Sequence, residues 1–298
     1  LQPGTDASLV NAIISVIIKE KLHDEKYIEK RTDKFKTLNS AITKNDISKA
    51  VKLTGVSQDA IEEAARIYAN AENAIILYGN GITQHRSGND NVKSLVNLAL
   101  LTGNIGKECS GIYPLMGQNN GQGAFNMGAI SDFYTDSQPV SDINVRKKFE
   151  KVYKTKLPKS KGLQIREMFN AASKGKVRSM YVMGADPIMS EPDTTKVKKA
   201  ISKLDFLIVQ DIFMSNTAQY ADVILPAACF AEKDGTFTNI ERRVQRVRKT
   251  VEPPGKAKAD WNIISELSTC MGHPMNYSSP EAIWEEIRKI SPNFAGIN

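Results

Sequence analysis

Short apolar runs that stop abruptly at polar, loop-forming residues most narrow what this chain can fold into. Ala74 to Tyr78 ends at Gly79, Ser179 to Met183 at Gly184, Phe206 to Val209 at Gln210, and Val223 to Leu225 at Pro226. Runs this short, bounded by turn residues, read as buried strands rather than helices. Helix-length segments lie between them: Asn89–Gly103 after the first, Thr194–Leu204 before the third, and a short Thr217–Ala221 before the fourth. That alternation implies an α/β fold with parallel sheets covered on both faces. In such sheets the carboxyl ends of the strands lie at one edge, where ligands bind.

The remaining elements follow from caps and periodicity. After the Pro3-Gly4 turn, Thr5 or Asp6 is the candidate cap of an apolar helix over 7–21. Asp24–Phe35 and Ile47–Leu53 read as short helices. Ser57 is positioned to cap an amphipathic helix carrying Ile61, Ala64, Ala65 and Tyr68. Leu163–Lys174 is helical, Asp260 is the candidate cap of a helix to Met271, and Ser279-Pro280-Glu281 opens the last helix. Residues 111–130 are too rich in glycine and amide side chains for a regular element. Residues 133–162 are polar and basic and read as a surface excursion. Beyond Gly235, Thr236–Thr238 and Val244–Val247 alternate as antiparallel strands do. Two broadly similar α/β units, before and after residue 118, fit this order.

The chain has 298 residues and a formal net charge of +7, which suits anionic partners or simply a lysine-rich solvated surface. The runs Lys147-Lys148, Lys151 to Lys161 and Lys196 to Lys199 lack interleaved aromatic residues, and no nucleic-acid-binding signature occurs. A nucleic-acid site on the basic surface is a further reading. The three cysteines, Cys109, Cys229 and Cys270, have neither the number nor the spacing of a disulfide framework or a metal site. The longest apolar run, Leu9 to Ile18, is interrupted by Asn11 and Ser15 and is too short for a membrane span. It also lacks the flanks of a signal peptide, so the expected location is cytoplasmic. Because the chain starts at Leu1, it is expected to be part of something longer.

Glycine at a strand end lets backbone N–H groups approach a pyrophosphate, and a following helix adds partial positive charge. A carboxylate such as Asp186 or Asp211 can accept from ribose hydroxyls or a purine amino group. The same residues also serve ordinary βα turns. Gly79-Asn80-Gly81 lacks the third glycine of a dinucleotide fingerprint, and there is no P-loop, nucleophile elbow, HExxH or calcium loop. His85 is either a base near a ligand or a solvent-facing loop residue. Gln118, Asn119, Asn120 and Gln122 offer donors and acceptors suited to a flat heterocycle, or to bonding among themselves.

Longer stretches carry a resemblance: PGTDASLVNAIISVIIKEKLHDEKYI, AIILYGNGITQH, NVKSLVNLALLTGNIGK, GQNNGQGAFNMGA, YVMGADP, VQDIFMSNTAQYADVILP, GTFTNIERRVQRV and DWNIISEL. Over Pro3 to Leu267 the chain resembles the central part of molybdopterin-guanine-dinucleotide oxidoreductases, with formate dehydrogenase catalytic (alpha) subunits as the nearest likeness. The resemblance implies Rossmann-like parallel sheets flanked by helices, as in formate dehydrogenase and DMSO reductase domains, with a small antiparallel excursion. It implies a first α/β domain over 1–118 and a second over 119–230 plus about 260–278. Segments 231–259 and 279–298 would pack with an iron–sulfur module.

By the same resemblance, the whole protein would oxidise formate reversibly to carbon dioxide at molybdenum or tungsten held by molybdopterin guanine dinucleotide. An N-terminal module before Leu1 would hold a 4Fe–4S cluster and the Cys or selenocysteine metal ligand, and a C-terminal domain would follow Asn298. No residue of this chain corresponds to a metal ligand, so the piece alone is expected to be inactive and to retain no cofactor. Gln118 matches a glutamine near the metal. Thr5, Asp6, Gly79, Gly81, Gln84, Gly184, Asp186, Gln210, Asp211, Leu225 and Pro226 match pterin-dinucleotide contacts. Met116 stands where many members carry an arginine that can attract formate, and Asn126 where Asp is common. The implied partners are the rest of the chain and electron-transfer subunits, without nucleic acid. Two further readings are a nitrate reductase-like molybdoenzyme and the structural large iron–sulfur subunit of respiratory NADH dehydrogenase.

Overall fold

The computed structural model of the chain describes residues 1–43 and 46–297. Lys44, Asn45 and Asn298, which fall within the expected 1–118 and 279–298 segments, lie outside the described residues. The chain divides into two compact units, Leu1–Asn119 and Asn120–Asn298.

The first unit is built around α1 (Asp6–Lys19). Val10, Ile13, Ile14, Val16, Ile17 and Ile18 make it apolar on nearly every side, the pattern of a helix surrounded by protein. It packs against α3 (Phe35–Ile42), α4 (Ile47–Thr54), α5 (Gln58–Asn70) and α7 (Gly88–Leu101), while α2 (Glu25–Arg31) leans on α7. Ile14, Ile17 and Ile61 are fully buried in that core. Thr5 holds the cap position of α1, but its hydroxyl donates to the Gln2 carbonyl at 2.7 Å and makes no cap bond. Asp6 is in the first turn, where its charge complements the helix dipole. Ser57 does cap α5, accepting from the Ala60 N–H.

Strand β1 (Ile75–Tyr78) turns through the short α6 (Asn80–Thr83) into α7, and pairs in parallel with β2 (Gly111–Pro114). Strand β2 corrects the expectation that 111–130 holds no regular element. Its glycine and proline hide it in sequence, yet pairing with β1 orders it. Ile76, Tyr78 and Ile112 face the core, whereas Ile75 and Leu77 point outward and are exposed.

The second unit opens with α8 (Gly121–Asn126), also within the stretch read as irregular. The Asn120 side chain just before it accepts from the Thr238 N–H at 3.0 Å, so a tertiary bond fixes its start. The expected surface excursion 133–162 is instead a folded element: the antiparallel pair β3 (Phe133–Tyr134) and β4 (Gln138–Pro139), then α9 (Ile143–Tyr153). Phe149 of α9 is 0% exposed and stacks on Tyr134. One buried aromatic among lysines anchors a helix whose other faces are wet.

Next come α10 (Ile165–Ser173), β5 (Ser179–Met183), α11 (Pro187–Ser190), α12 (Thr194–Ile201), β6 (Phe206–Asp211) and β7 (Val223–Pro226). The sheet order is β5-β6-β7, all parallel, with Met183 opposite Gln210 and Gln210 opposite Leu225. Val182, Leu207 and Val209 pack on Phe169 and Ala172 of α10 and on Val197, Ala200 and Ile201 of α12. The opposite face, with Tyr181, Met183 and Phe206, is left partly exposed rather than fully covered. The hairpin β8 (Gly235–Thr238) and β9 (Val244–Val247) is antiparallel as expected. Then come α13 (Asp260–Cys270) and α14 (Pro280–Ile290), the latter capped by Ser279. Asp260 is not the cap of α13; Ala259 is, because the Asp260 carboxylate is drawn into the bonds described below. Among the described residues, no helix is long and apolar enough to cross a membrane.

Removing the α9 anchor should be costly. Phe149→Ala is expected to destabilise the chain by about 3–5 kcal/mol, read as a lower urea midpoint with an unchanged slope. An unchanged midpoint would mean that α9 is not part of the cooperative fold.

Candidate functional site

Parallel pairing brings the candidate residues to the carboxyl edge of each sheet, and each edge is described within its own unit. In the first unit the loops after β1 and β2 lie side by side. The Leu115 N–H donates to the Tyr78 carbonyl at 2.6 Å, and a Cβ on Gly79 would stand 3.8 Å from the Leu115 carbonyl oxygen. Gly81 has open space where its Cβ would be, and Gln84, His85, Met116 and Gln118 are exposed around it. His85 contributes its backbone carbonyl, which accepts from the Gly88 N–H at 3.0 Å. Thr5 holds the cap position of α1 and Asp6 begins the helix; among the described residues, neither shares a hydrogen bond with this edge.

Two residues not singled out in sequence hold the glycine loop in place. Asn91 is buried in the first turn of α7, and its side-chain amide donates to the Ile82 carbonyl at 2.9 Å. Its Oδ1 is buried and has no hydrogen-bond partner among the described residues. Gly88 sits so close that a Cβ there would fall 2.1 Å from the Thr83 carbonyl oxygen. The available signal was a polar Asn91 on the same helical stripe as Leu95 and Leu98.

In the second unit, Gly184, Gln210, Asp211, Leu225 and Pro226 line one sheet edge in register. Gly184 has a positive φ of 59°, no neighbour where a Cβ would point, and an N–H that donates to the Gln210 carbonyl at 2.8 Å. Gln210 is 0% exposed, and its side chain is spent inside the protein. The Tyr181 hydroxyl donates to its Oε1, while its Nε2 donates to Asp260 at 2.5 Å. Lys233 pairs with the other Asp260 oxygen. Burial first, then the Asp260 charge, pushes the Tyr181 phenol above its ordinary pKa.

Asp186 is similarly engaged. One oxygen accepts from the Thr217 hydroxyl at 2.6 Å and the Thr217 N–H at 3.1 Å; the other accepts from the Asn216 N–H at 3.0 Å and its side-chain amide at 3.1 Å. Four bonds fill the acceptor sites of a carboxylate. Asp186 therefore ties the turn after β5 to the loop after β6, with no site left for a ribose hydroxyl. Desolvation raises its pKa, but these hydrogen bonds outweigh it and hold the carboxyl below its ordinary value. Asp211 uses only one oxygen, which accepts from the Ile212 and Phe213 N–H groups at 2.7 and 3.2 Å. The amide cluster bonds outside itself: Gln122 donates to Asn126 at 2.9 Å and Asn120 accepts from the Thr238 N–H, whereas Gln118 and Asn119 remain exposed.

Each edge, within its own unit, leaves glycine backbone bare, at Gly81 in the first and at Gly184 in the second, where main-chain N–H groups can approach an anionic group. Among the described residues, no group of three His, Cys, Asp or Glu side chains is gathered as metal ligands.

Two substitutions probe these edges. Gly88→Ala should cost about 1–3 kcal/mol and make the 80–87 loop sensitive to protease; wild-type resistance would refute the close contact. Asp186 has a depressed pKa in the folded chain, so its stabilisation is complete above the ordinary carboxylate value of about 3.9. It is lost as pH falls through the lower folded value. Asp186→Asn should therefore lower stability at pH 7 and flatten the decline below about pH 4, followed by denaturation at stepped pH. An unflattened decline would place the acid sensitivity elsewhere.

Comparison with known proteins points one way. The chain is 50% identical over 297 residues to the F420-dependent formate dehydrogenase subunit alpha of Methanocaldococcus jannaschii, covering 99% of this chain and 44% of the relative. It is 43% identical over 297 residues to formate dehydrogenase H of Escherichia coli, covering 99% of this chain and 42% of the relative. The chain thus spans less than half the length of these curated relatives. Acetylene hydratase from Pelobacter acetylenicus shares the fold, with a TM-score of 0.72 at 21% identity over 99% of this chain and 43% of that one. Residues 1–270 match the family model for molybdopterin oxidoreductases, and the chain belongs to that family.

Proposed function

We propose that the chain is the central pterin-dinucleotide-binding region of a formate dehydrogenase-like oxidoreductase. The observation that carries this is the pair of strand-end edges with bare glycine backbone. These edges lie in a chain half identical to a formate dehydrogenase alpha subunit. Gly79, Gly81 and Gly184 would admit phosphates close to the main chain. Gln84 and Gln118 would bond the mixed edges of the pterin or guanine, and Leu225-Pro226 would form an apolar wall. Asp211 has an oxygen free to accept from the ligand, whereas Gln210 and Asp186 would act behind it by fixing strand and loop. When bound, the molybdenum- or tungsten-bearing group supplies the two-electron chemistry of formate and carbon dioxide. Segments 231–259 and 279–298 are assigned to packing beside an iron–sulfur module of the whole protein, and electrons would pass to partner subunits.

Met116 supports a second reading. It is exposed beside Gln118, and a thioether offers no charge to attract formate. A nitrate reductase-like or other molybdoenzyme substrate would fit such a site. The full-length protein, purified without oxygen, should reduce a viologen dye with formate and release pterin and guanine nucleotide on denaturation. Pterin release together with reduction of nitrate, and none with formate, would favour the second reading. Absence of pterin would refute both and favour a structural subunit. The isolated 298-residue chain should retain little nucleotide; stoichiometric release would contradict that.

A further inference from the structure

Helix α9 has no task in the reading above, and its charge is laid out in a specific way. Its inner side is fixed. Phe149 stacks on Tyr134 with ring centroids 4.6 Å apart, and Arg146 lies 3.8 Å from Glu150. Lys148 donates to Gln138 at 2.9 Å and to the Ile290 carbonyl at 2.5 Å. Glu150, the one acid within α9, also accepts from the Leu157 N–H at 3.1 Å and holds the following loop. No carboxylate of the helix is left for its outer side.

That outer side is a stripe of lysines. Lys147 and Lys151 stand four residues apart on one line of the helix, and Lys154 follows at its C-cap. Lys156 and Lys159 continue into the loop. All five are exposed, and among the described residues none is in an ion pair. Lys154 also adopts a left-handed φ of 52°. Like charges at i and i+4 destabilise a helix, so the stripe does not serve the stability of α9. Ile143 begins the same line, 52% exposed, and Val152 and Tyr153 flank its end at 40% and 42%. Apolar groups bordered by charge suit a protein interface. A phosphate polymer would use the lysines and leave Ile143 and Val152 without a role.

We propose that this stripe docks the acidic face of a second protein subunit. The proposal rests on reading the chain as part of an alpha-type subunit of a multi-subunit oxidoreductase. Lysine acetylation of the intact assembly, compared with the separated full-length subunit, tests it directly. Lys147, Lys151 and Lys154 should react roughly tenfold more slowly in the assembly at low salt. Zero-length carbodiimide cross-linking should join them to Asp or Glu of the other subunit. Equal acetylation in both states overturns the proposal, as does a full-length protein that purifies without a partner and leaves these lysines reactive. Protection by heparin or phosphatidylserine vesicles but by no subunit also overturns it, in favour of a polyanion or membrane surface.

The triple variant Lys147→Glu, Lys151→Glu, Lys154→Glu should weaken assembly roughly tenfold or more and leave formate-dependent dye reduction unchanged. Undiminished assembly of that variant would also refute docking. Failure of the wild type to reduce dye would count against the formate reading alone, because the acetylation pattern is read without turnover.

Discussion

Parallel strand pairing is the constraint on which the rest of this structure depends. Once β5, β6 and β7 run the same way, their loops must leave from one edge, and the same holds for β1 and β2. The ladder even runs one residue past β5, where the Gly184 N–H reaches the Gln210 carbonyl. Parallel ladders are slightly weaker per residue than antiparallel ones and depend on covered faces. Leu207 and Val209 supply that cover against α10 and α12. The apolar burial and the edge from which the loops leave are therefore one arrangement seen from two sides.

At that edge, charge and proximity do not by themselves make a ligand group. Asp186 and Gln210 stand at strand ends, yet their polar atoms are consumed by Asn216, Thr217, Tyr181 and Asp260. A buried amide or carboxylate with every site filled rigidifies its surroundings. What remains outward there is main chain at Gly184 and one oxygen of Asp211; in the first unit, taken by itself, it is main chain at Gly81 and the amides of Gln84 and Gln118. Groups held out from a frame that is already stiff can offer hydrogen bonds with little reorganisation.

The strands were legible because their signal is local. Ser179–Met183 and Val223–Pro226 are short apolar runs ended by residues that cannot continue them. The strand β2 was not, because Gly111 and Pro114 argue against a strand and only the partner β1 outweighs them. Helix α9 looked like solvent-facing sequence because a single residue, Phe149, carries its burial. Asp260 looked like a cap, since nothing nearby in sequence shows that Gln210 and Lys233 compete for its carboxylate. The strand-end glycines were visible as motifs. The roles of Asn91, Asn216 and Thr217 were not, because each bond they make depends on how distant loops meet.

Helix α1 carries a consequence of its own. Its β-branched residues, Val10, Ile13, Ile14, Val16, Ile17 and Ile18, lose side-chain freedom in a helix and disfavour it in isolation. A helix of this length is marginal in water even with better residues. Its order is thus lent by α4, α5 and α7 around it. Separated from those neighbours, α1 would not hold its helix. Uncovered, its isoleucines would form an apolar surface open to wrong partners.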